Sequence, residues 1–186
     1  MKSIFDKVNI ILVGTTHPGN IGAAARAMKT MNVHNLRLVN PLNFPSAEAS
    51  ARAAGADDVL AECQQFSSLE DAVKDCDLVI GTSARVRGIP WPMILPRECA
   101  KKISEGTYSS VSIVFGKESS GLSNEELQLC NMVLKIPTNS EYNSLNLAAA
   151  VQIICYEICL LITDLDSIEY KPNEAAFINQ DKMEQF

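Results

Sequence analysis

The sequence predicts an α/β fold, a mostly parallel sheet flanked by helices, and three observations predict it. Short apolar, β-branched runs alternate with helix-forming stretches along most of the chain. Those runs carry few polar residues, as strands covered on both faces do. The loops that follow them are rich in Gly, Pro, Ser and Asn, and open α/β sheets bind ligands outside the carboxyl ends of their strands.

Taken in order, the strand candidates are Val8–Gly14, Asn35–Asn40, Leu78–Thr82, Ser112–Gly116 and Met132–Ile136. The spacing of apolar residues between them predicts helices over Ile21–Met31, Ala47–Ala54, Leu69–Asp75, Asn124–Cys130 and Leu145–Ile162. Ser67 with Glu70 and Ser123 with Glu126 read as capping boxes for two of these starts. Asn143, Ser144 and Asn146 gather at the mouth of the last helix, where unpaired backbone N–H groups face outwards. The loops at Thr15–Asn20, Ser83–Pro96, Lys117–Leu122 and Pro137–Ser144 all follow strands and are the places to look for a site.

Length and composition narrow the function. A chain of 186 residues, 47% hydrophobic and 20% charged, reads as one globular domain over 1–163, followed by an acidic tail, 164–186. That tail reads as the start of a truncated or absent C-terminal extension. Met1–Lys7 has no apolar signal-peptide core. Asn146, Gln152 and Glu157 interrupt the apolar stretch Leu145–Ile162, which argues for a buried helix and against a membrane span. The six cysteines form no Cys-x-x-Cys pair and lie far from His17 and His34 in sequence, so the expectation is no metal, no disulfide and a reducing, cytoplasmic setting. Net charge is −6, but the tail holds −4 of it, leaving a near-neutral body able to present a basic face through Arg26, Lys29, Arg37, Arg85 and Arg87.

The first loop and helix read G-T-T-H-P-G-N-I-G-A-A-A-R-A-M-K, residues 14–29. Gly14 and Gly19 have phosphate-loop spacing, but Asn20-Ile21 stands where Lys-Ser/Thr would be, and no G-x-G-x-x-G can be laid over the stretch. Asn20 is a candidate helix cap. Arg26 is either a solvated charge or a group reaching back to the loop. In T-S-A-R-V-R-G-I-P-W-P-M, residues 82–93, Arg85 and Arg87 suit phosphate contact and Trp91 offers a stacking surface. A surface loop with a half-buried Trp is the competing reading. Glu118, in F-G-K-E-S-S-G-L-S, either orients a polar partner or is a solvated turn carboxylate. No Ser/His/Asp or Cys/His constellation can be assembled.

The three stretches N-I-G-A-A-A-R-A-M-K-T-M, I-V-F-G-K-E-S-S-G-L-S-N-E-E-L and I-P-T-N-S-E-Y-N-S-L-N-L-A-A-A-V-Q, in that order, resemble the motifs of SpoU-type (TrmH-type) RNA 2′-O-methyltransferases of the SPOUT superfamily. H-P-G-N-I-G, G-T-S-A-R-V-R-G-I-P-W-P-M and P-R-E-C are most similar to the branch that methylates the ribose of nucleotide 32 in the tRNA anticodon loop. The resemblance covers roughly residues 8–162. It implies a deep C-terminal trefoil knot, S-adenosylmethionine as cofactor, tRNA as partner and a homodimer whose site straddles both subunits. By motif position it implies cofactor contacts from Thr82, Ser83, Ala84, Gly116, Ile136, Asn143, Ser144 and Leu145. Arg26, Asn20, Glu118, Ser144 and Asn146 match catalytic and RNA-side positions, and Arg85 and Arg87 match tRNA-contacting ones. Asn143 departs from the branch, which more often has Ser there. Related enzymes also carry a C-terminal helical extension that helps grip tRNA, and this sequence ends at Phe186.

The family reading makes Arg26 a general base, yet a guanidinium holds its proton up to a pKa above ~12. The physical expectation is that Arg26 positions a phosphate and stabilises a developing alkoxide. A helix apolar nearly all round at Leu147–Ile162 needs cover on every side, which a second subunit would supply. Other sites in tRNA or rRNA, a non-catalytic cofactor- or RNA-binding module, and a nucleotide-dependent oxidoreductase are the competing functions. The last is disfavoured because both glycine fingerprints fail.

Overall fold

The computed structural model describes residues 3–84 and 91–163. The tail at 164–186 and the two loop arginines, Arg85 and Arg87, lie outside the described residues. Among those residues one sheet is formed by β1 (Val8–Val13), β2 (Asn35–Val39), β3 (Gln64–Phe66), β4 (Leu78–Thr82), β5 (Met93–Ile94), β6 (Val111–Phe115) and β7 (Met132–Leu134). The spatial order is β3-β2-β1-β6-β4-β7-β5, and every neighbouring pair is parallel.

Alternation along each strand divides the core in two. Ile10 and Leu12 of β1, with Leu36, Leu38, Ile80, Ile113 and Phe115, point to one face. There they meet α1 (Pro18–Thr30), α2 (Ala47–Ala53), α3 (Asp57–Ala61), α5 (Pro96–Glu105) and α7 (Leu147–Ile162). Ile11, Val13, Val79 and Val114 point to the other, under α4 (Leu69–Val73) and α6 (Asn124–Gln128). Each fully buried Ile or Leu contributes about 1.5–3 kcal/mol. Gly22 lets α1 press against α2, because a Cβ there would overlap the Ala49 carbonyl.

The strand order positions the site. The chain runs outward from β1 to β2 and β3, crosses to build β4 and then β5 at the far edge, and last inserts β6 between β1 and β4 and β7 between β4 and β5. The direction of winding reverses beside β1, which is where open α/β sheets leave a crevice. The loops after β1, β4, β6 and β7 converge there.

Several boundaries differ from expectation. α1 begins at Pro18 with His17 as its N-cap, so Asn20 lies inside the first turn and does not cap it. Proline is suited to that first position because its missing N–H would have no partner anyway. The cap of α4 is Ser68, whose hydroxyl accepts from the Asp71 N–H at 3.1 Å. The expected Ser67–Glu70 box is displaced by one residue, since Ser68-x-x-Asp71 satisfies the same pattern. Ser123 and Glu126 do form their reciprocal box. α7 starts at Leu147, capped by Asn146. The strands β3 and β5 and the helices α3 and α5 were not expected. The two strands are short, edge-lying and largely solvent-facing, so neither leaves an apolar run. α5 did carry a signal: Pro96 at its first position and Glu98 accepting from the Leu95 N–H at 2.8 Å.

Candidate active site

A cleft of about 190 Å³ opens at the carboxyl ends of β4, β6 and β7. Its walls come from four separate stretches of sequence: 82–84, 115–121, 134–138 and 143–150. Leu134, Ile136, Leu147 and Ala150 give it apolar surface, while Ser83, Ser119, Thr138, Asn143 and Ser144 give it polar groups. Gly116 has to lack a side chain, because a Cβ would strike the backbone of Gly121 and Leu122 where the 116–122 loop folds back. That fold is pinned by the Gly121 N–H donating to the Lys117 carbonyl at 2.8 Å.

Beside the cleft a hydrogen-bonded relay ties three loops together. The Asn146 carbonyl oxygen caps α7, accepting from the N–H groups of Ala148 at 3.0 Å and Ala149 at 3.4 Å. Its amide nitrogen must then be the free end, and it donates to Asn20 Oδ1 at 3.1 Å. Asn20 in turn donates from Nδ2 to Glu118 Oε1 at 2.9 Å. Glu118 also accepts from the Thr16 N–H at 3.1 Å, the Thr16 hydroxyl at 3.0 Å and the His17 N–H at 3.3 Å. Every direction in this chain is fixed by the backbone at its α7 end, and it requires Glu118 to accept throughout. Partial burial pushes the Glu118 carboxyl up, but donors from Asn20 and from the backbone of Glu118, Thr16 and His17 outweigh it, holding it at about 2.

All eight residues matched to cofactor contacts line the one cleft: Thr82, Ser83, Ala84, Gly116, Ile136, Asn143, Ser144 and Leu145. Asn20, Glu118 and Asn146 meet in the relay, and Ser144 lies on the cleft wall beside it. Arg26 stands apart, exposed on α1; its carbonyl accepts from the Thr30 hydroxyl, and its guanidinium has no hydrogen-bond or ion-pair partner among the described residues. Trp91 is half-buried, donating from Nε1 to the Cys130 carbonyl at 2.7 Å and packing on the second core cluster. Of its two readings, the structural one describes what it does here. Sequence reasoning missed the donors at Thr16 and His17; both give backbone N–H groups, which leave no residue-type signal, and Thr16 adds its hydroxyl. It also missed Lys117 and Thr138 on the cleft wall, which lie within loops it did single out. Among the described residues there is no group of three or more His, Cys, Asp and Glu able to hold a metal, and no helix is long and apolar enough to cross a membrane. All six cysteines are free, and burial pushes the thiols of Cys99, Cys130 and Cys155 up to about 12.

Fold and site together define a parallel α/β protein with a cleft assembled from loops at its switch point. The sequence model of the SpoU rRNA methylase family matches residues 7–156, and the chain belongs to that family. A Photorhabdus laumondii protein named tRNA (cytidine/uridine-2′-O-)-methyltransferase TrmJ is 50% identical over 185 residues, covering 98% of this chain and 77% of its own length. A Sodalis glossinidius protein of the same name is 53% identical over 152 residues, 81% of this chain and 60% of its own. The crystal structure of TrmJ from Z. mobilis ZM4 matches with a TM-score of 0.78 at 39% identity, covering 82% of this chain and 68% of that one. The chain thus spans part of the length of these relatives.

Proposed function

We propose that the protein transfers a methyl group from S-adenosylmethionine to a ribose 2′-oxygen of tRNA, at nucleotide 32 of the anticodon loop. The observation that carries this is the convergence of eight motif-matched residues from four distant stretches on one cleft. The names borne by its relatives, up to about half identical in sequence, support the tRNA substrate. The cleft suits the cofactor: apolar side chains for a flat ring, hydroxyl and amide groups for its polar parts, and a bare backbone at Gly116. The SpoU methyltransferase AviRb from Streptomyces viridochromogenes, solved with AdoMet, shares the fold at a TM-score of 0.67 and 20% identity over 82% of this chain and 59% of that one.

S-adenosylmethionine supplies a methyl already activated on a sulfonium, so the chain has to position reactants and manage one proton. Thr82, Ser83, Ala84, Gly116, Ile136, Asn143, Ser144 and Leu145 would hold the cofactor. Glu118 is not the base: both its oxygens already accept two hydrogen bonds each, and a carboxyl held at about 2 binds a proton weakly. Its role with Asn20 and Asn146 is to lock the loops that frame the site. Ser144, exposed at the cleft edge, orients the 2′-hydroxyl, and Arg26 anchors phosphate and stabilises the alkoxide as it forms. Arg85 and Arg87 extend the tRNA contact.

The same reading includes a homodimer, a C-terminal trefoil knot and a cytoplasmic setting. The dimer is supported by α7, which buries Val151, Ile154, Cys155 and Ile158 but leaves Tyr156 49% and Leu161 40% exposed. The knot is carried over from the resemblance of the three motifs to the SPOUT superfamily. Mass spectrometry of unmodified tRNA after incubation with protein and methyl donor tests the activity, with one added ribose methyl expected at nucleotide 32. No added methyl, or calorimetry showing NAD bound and S-adenosylhomocysteine ignored, would overturn it. A mass in solution that stays monomeric at all concentrations would remove the dimer.

A further inference from the structure

On the far side of the relay lies a second, more open groove. His17, Gly19 and Asn20 of the α1 end bound it, together with Arg52 of α2 and Asn146 at the mouth of α7. We propose that this groove seats the phosphodiester next to the ribose being methylated, and that Arg52 is the side chain that positions it. The inference rests on the methyl-transfer reading and adds to it a subsite and a residue.

The first argument is distance. A 2′-oxygen and a 3′-phosphate sit on neighbouring carbons of one ribose, so a phosphate must lie within a sugar's width of the methyl donor. The groove adjoins the cofactor cleft, since Asn20 and Asn146 line it while Glu118, hydrogen-bonded to Asn20, lines the cleft. The second argument is charge. Arg52 is exposed and has no hydrogen-bond or ion-pair partner among the described residues. Glu48 lines the same groove one helical turn earlier, yet the two do not form an ion pair. The carboxylate instead lies against Gly19, where a Cβ would come within 2.8 Å of Glu48 Oε1. The groove therefore carries one carboxylate, suited to hydroxyl or amino donors, and one guanidinium left free to pair with a phosphate. The third argument is alignment. Gly19, Ala23 and Arg26 follow one another at i, i+4 and i+7 along α1, so Arg26 continues the stripe that forms the groove wall. A polyanion running along this stripe would meet both guanidinium groups, which a single small ion would not.

The test is steady-state methylation of unmodified tRNA by the full chain carrying Arg52→Ala, Arg52→Lys or Glu48→Gln. S-adenosylhomocysteine affinity is measured in parallel as the check on folding. Arg52→Ala should raise KM for tRNA about tenfold with kcat nearly unchanged, and should reduce the salt dependence of kcat/KM by about one phosphate contact. Arg52→Lys should recover part of the loss, and Glu48→Gln should lower KM. An unchanged KM and salt slope in Arg52→Ala, or a loss confined to kcat, would overturn the assignment while leaving the activity intact. Wild-type protein that adds no methyl to any tRNA would instead remove the underlying function and this inference with it.

Discussion

Glu118 lies at the carboxyl end of the sheet and Asp75 at its amino end, and both carboxyls are held below their ordinary range by opposite means. Asp75 is neutralised by charge: the buried Arg37 donates from Nη1 at 2.7 Å and from Nη2 at 2.8 Å, a two-pronged pair. Arg37 also donates to the Ala72 carbonyl and stacks over Phe66 at 5.9 Å. Glu118 has no ion-pair partner among the described residues and is satisfied by neutral N–H and O–H donors. The difference separates a structural end from a binding end. At the amino end the cation is consumed inside the fold. At the carboxyl end the fold satisfies its carboxylate with dipoles, and Arg26 and Arg52 remain available to an anion.

That contrast can be broken most severely at Arg26. Arg26→Ala should lower turnover about 100- to 1,000-fold while leaving the melting temperature unchanged. Arg26→Lys is the sharper variant, and near-normal turnover from it would sink the requirement for a planar fork. Next comes Arg37→Ala, expected to cost about 2–4 kcal/mol of stability in urea titration, because it empties a buried site and strips Asp75 of its partner. Cofactor affinity should hardly move. If it falls in step with stability, the two ends are not independent.

Glu118→Gln should cost less, about 1–3 kcal/mol, since an amide offers a donor where only acceptors fit. The same group gives a pH signature. Its folded carboxyl, at about 2, lies below the ordinary 4.5, so its stabilisation is complete above pH 4.5 and is lost as pH falls towards 2. Thermal unfolding followed over that window should show the loss in wild type and a flatter profile in Glu118→Gln. The smallest effect belongs to the exposed pair Lys29–Asp58, 2.8 Å apart with both side chains 40% or more exposed. Lys29→Ala should change stability by less than about 1 kcal/mol, fading with added salt.

Much of this was legible in the residues. Five of the seven strands announce themselves as short apolar runs, and the cleft-forming loops stand out by their Gly, Ser and Asn content. Gln64–Phe66 and Met93–Ile94 were not legible, because edge strands of two or three residues get their identity from the neighbour they pair with. Asn20 shows a subtler limit. Its residue type fits a cap, yet Pro18 two residues earlier claims the first helical position, and the Asn20 side chain is left to bridge Asn146 and Glu118. Those partners lie 126 and 98 residues away, a separation no local pattern reports. Arg52 was overlooked for a related reason: on a helix surface it looks like any solvated charge until α2 is seen packed beside the α1 end.

The fixed direction of the relay has a consequence for proton traffic. A chain of hydrogen bonds conducts a proton only if each link can reverse, one group releasing on one side what it takes up on the other. Here the Asn146 oxygen is held by two backbone N–H groups and the Asn20 amide can face only one way. Asparagine side chains with a fixed orientation carry no exchangeable alternative, so the relay passes no proton to Glu118, whose own oxygens on the cleft wall are already taken by four donors. A proton released from a ribose at this site has to leave through solvent or through the RNA itself.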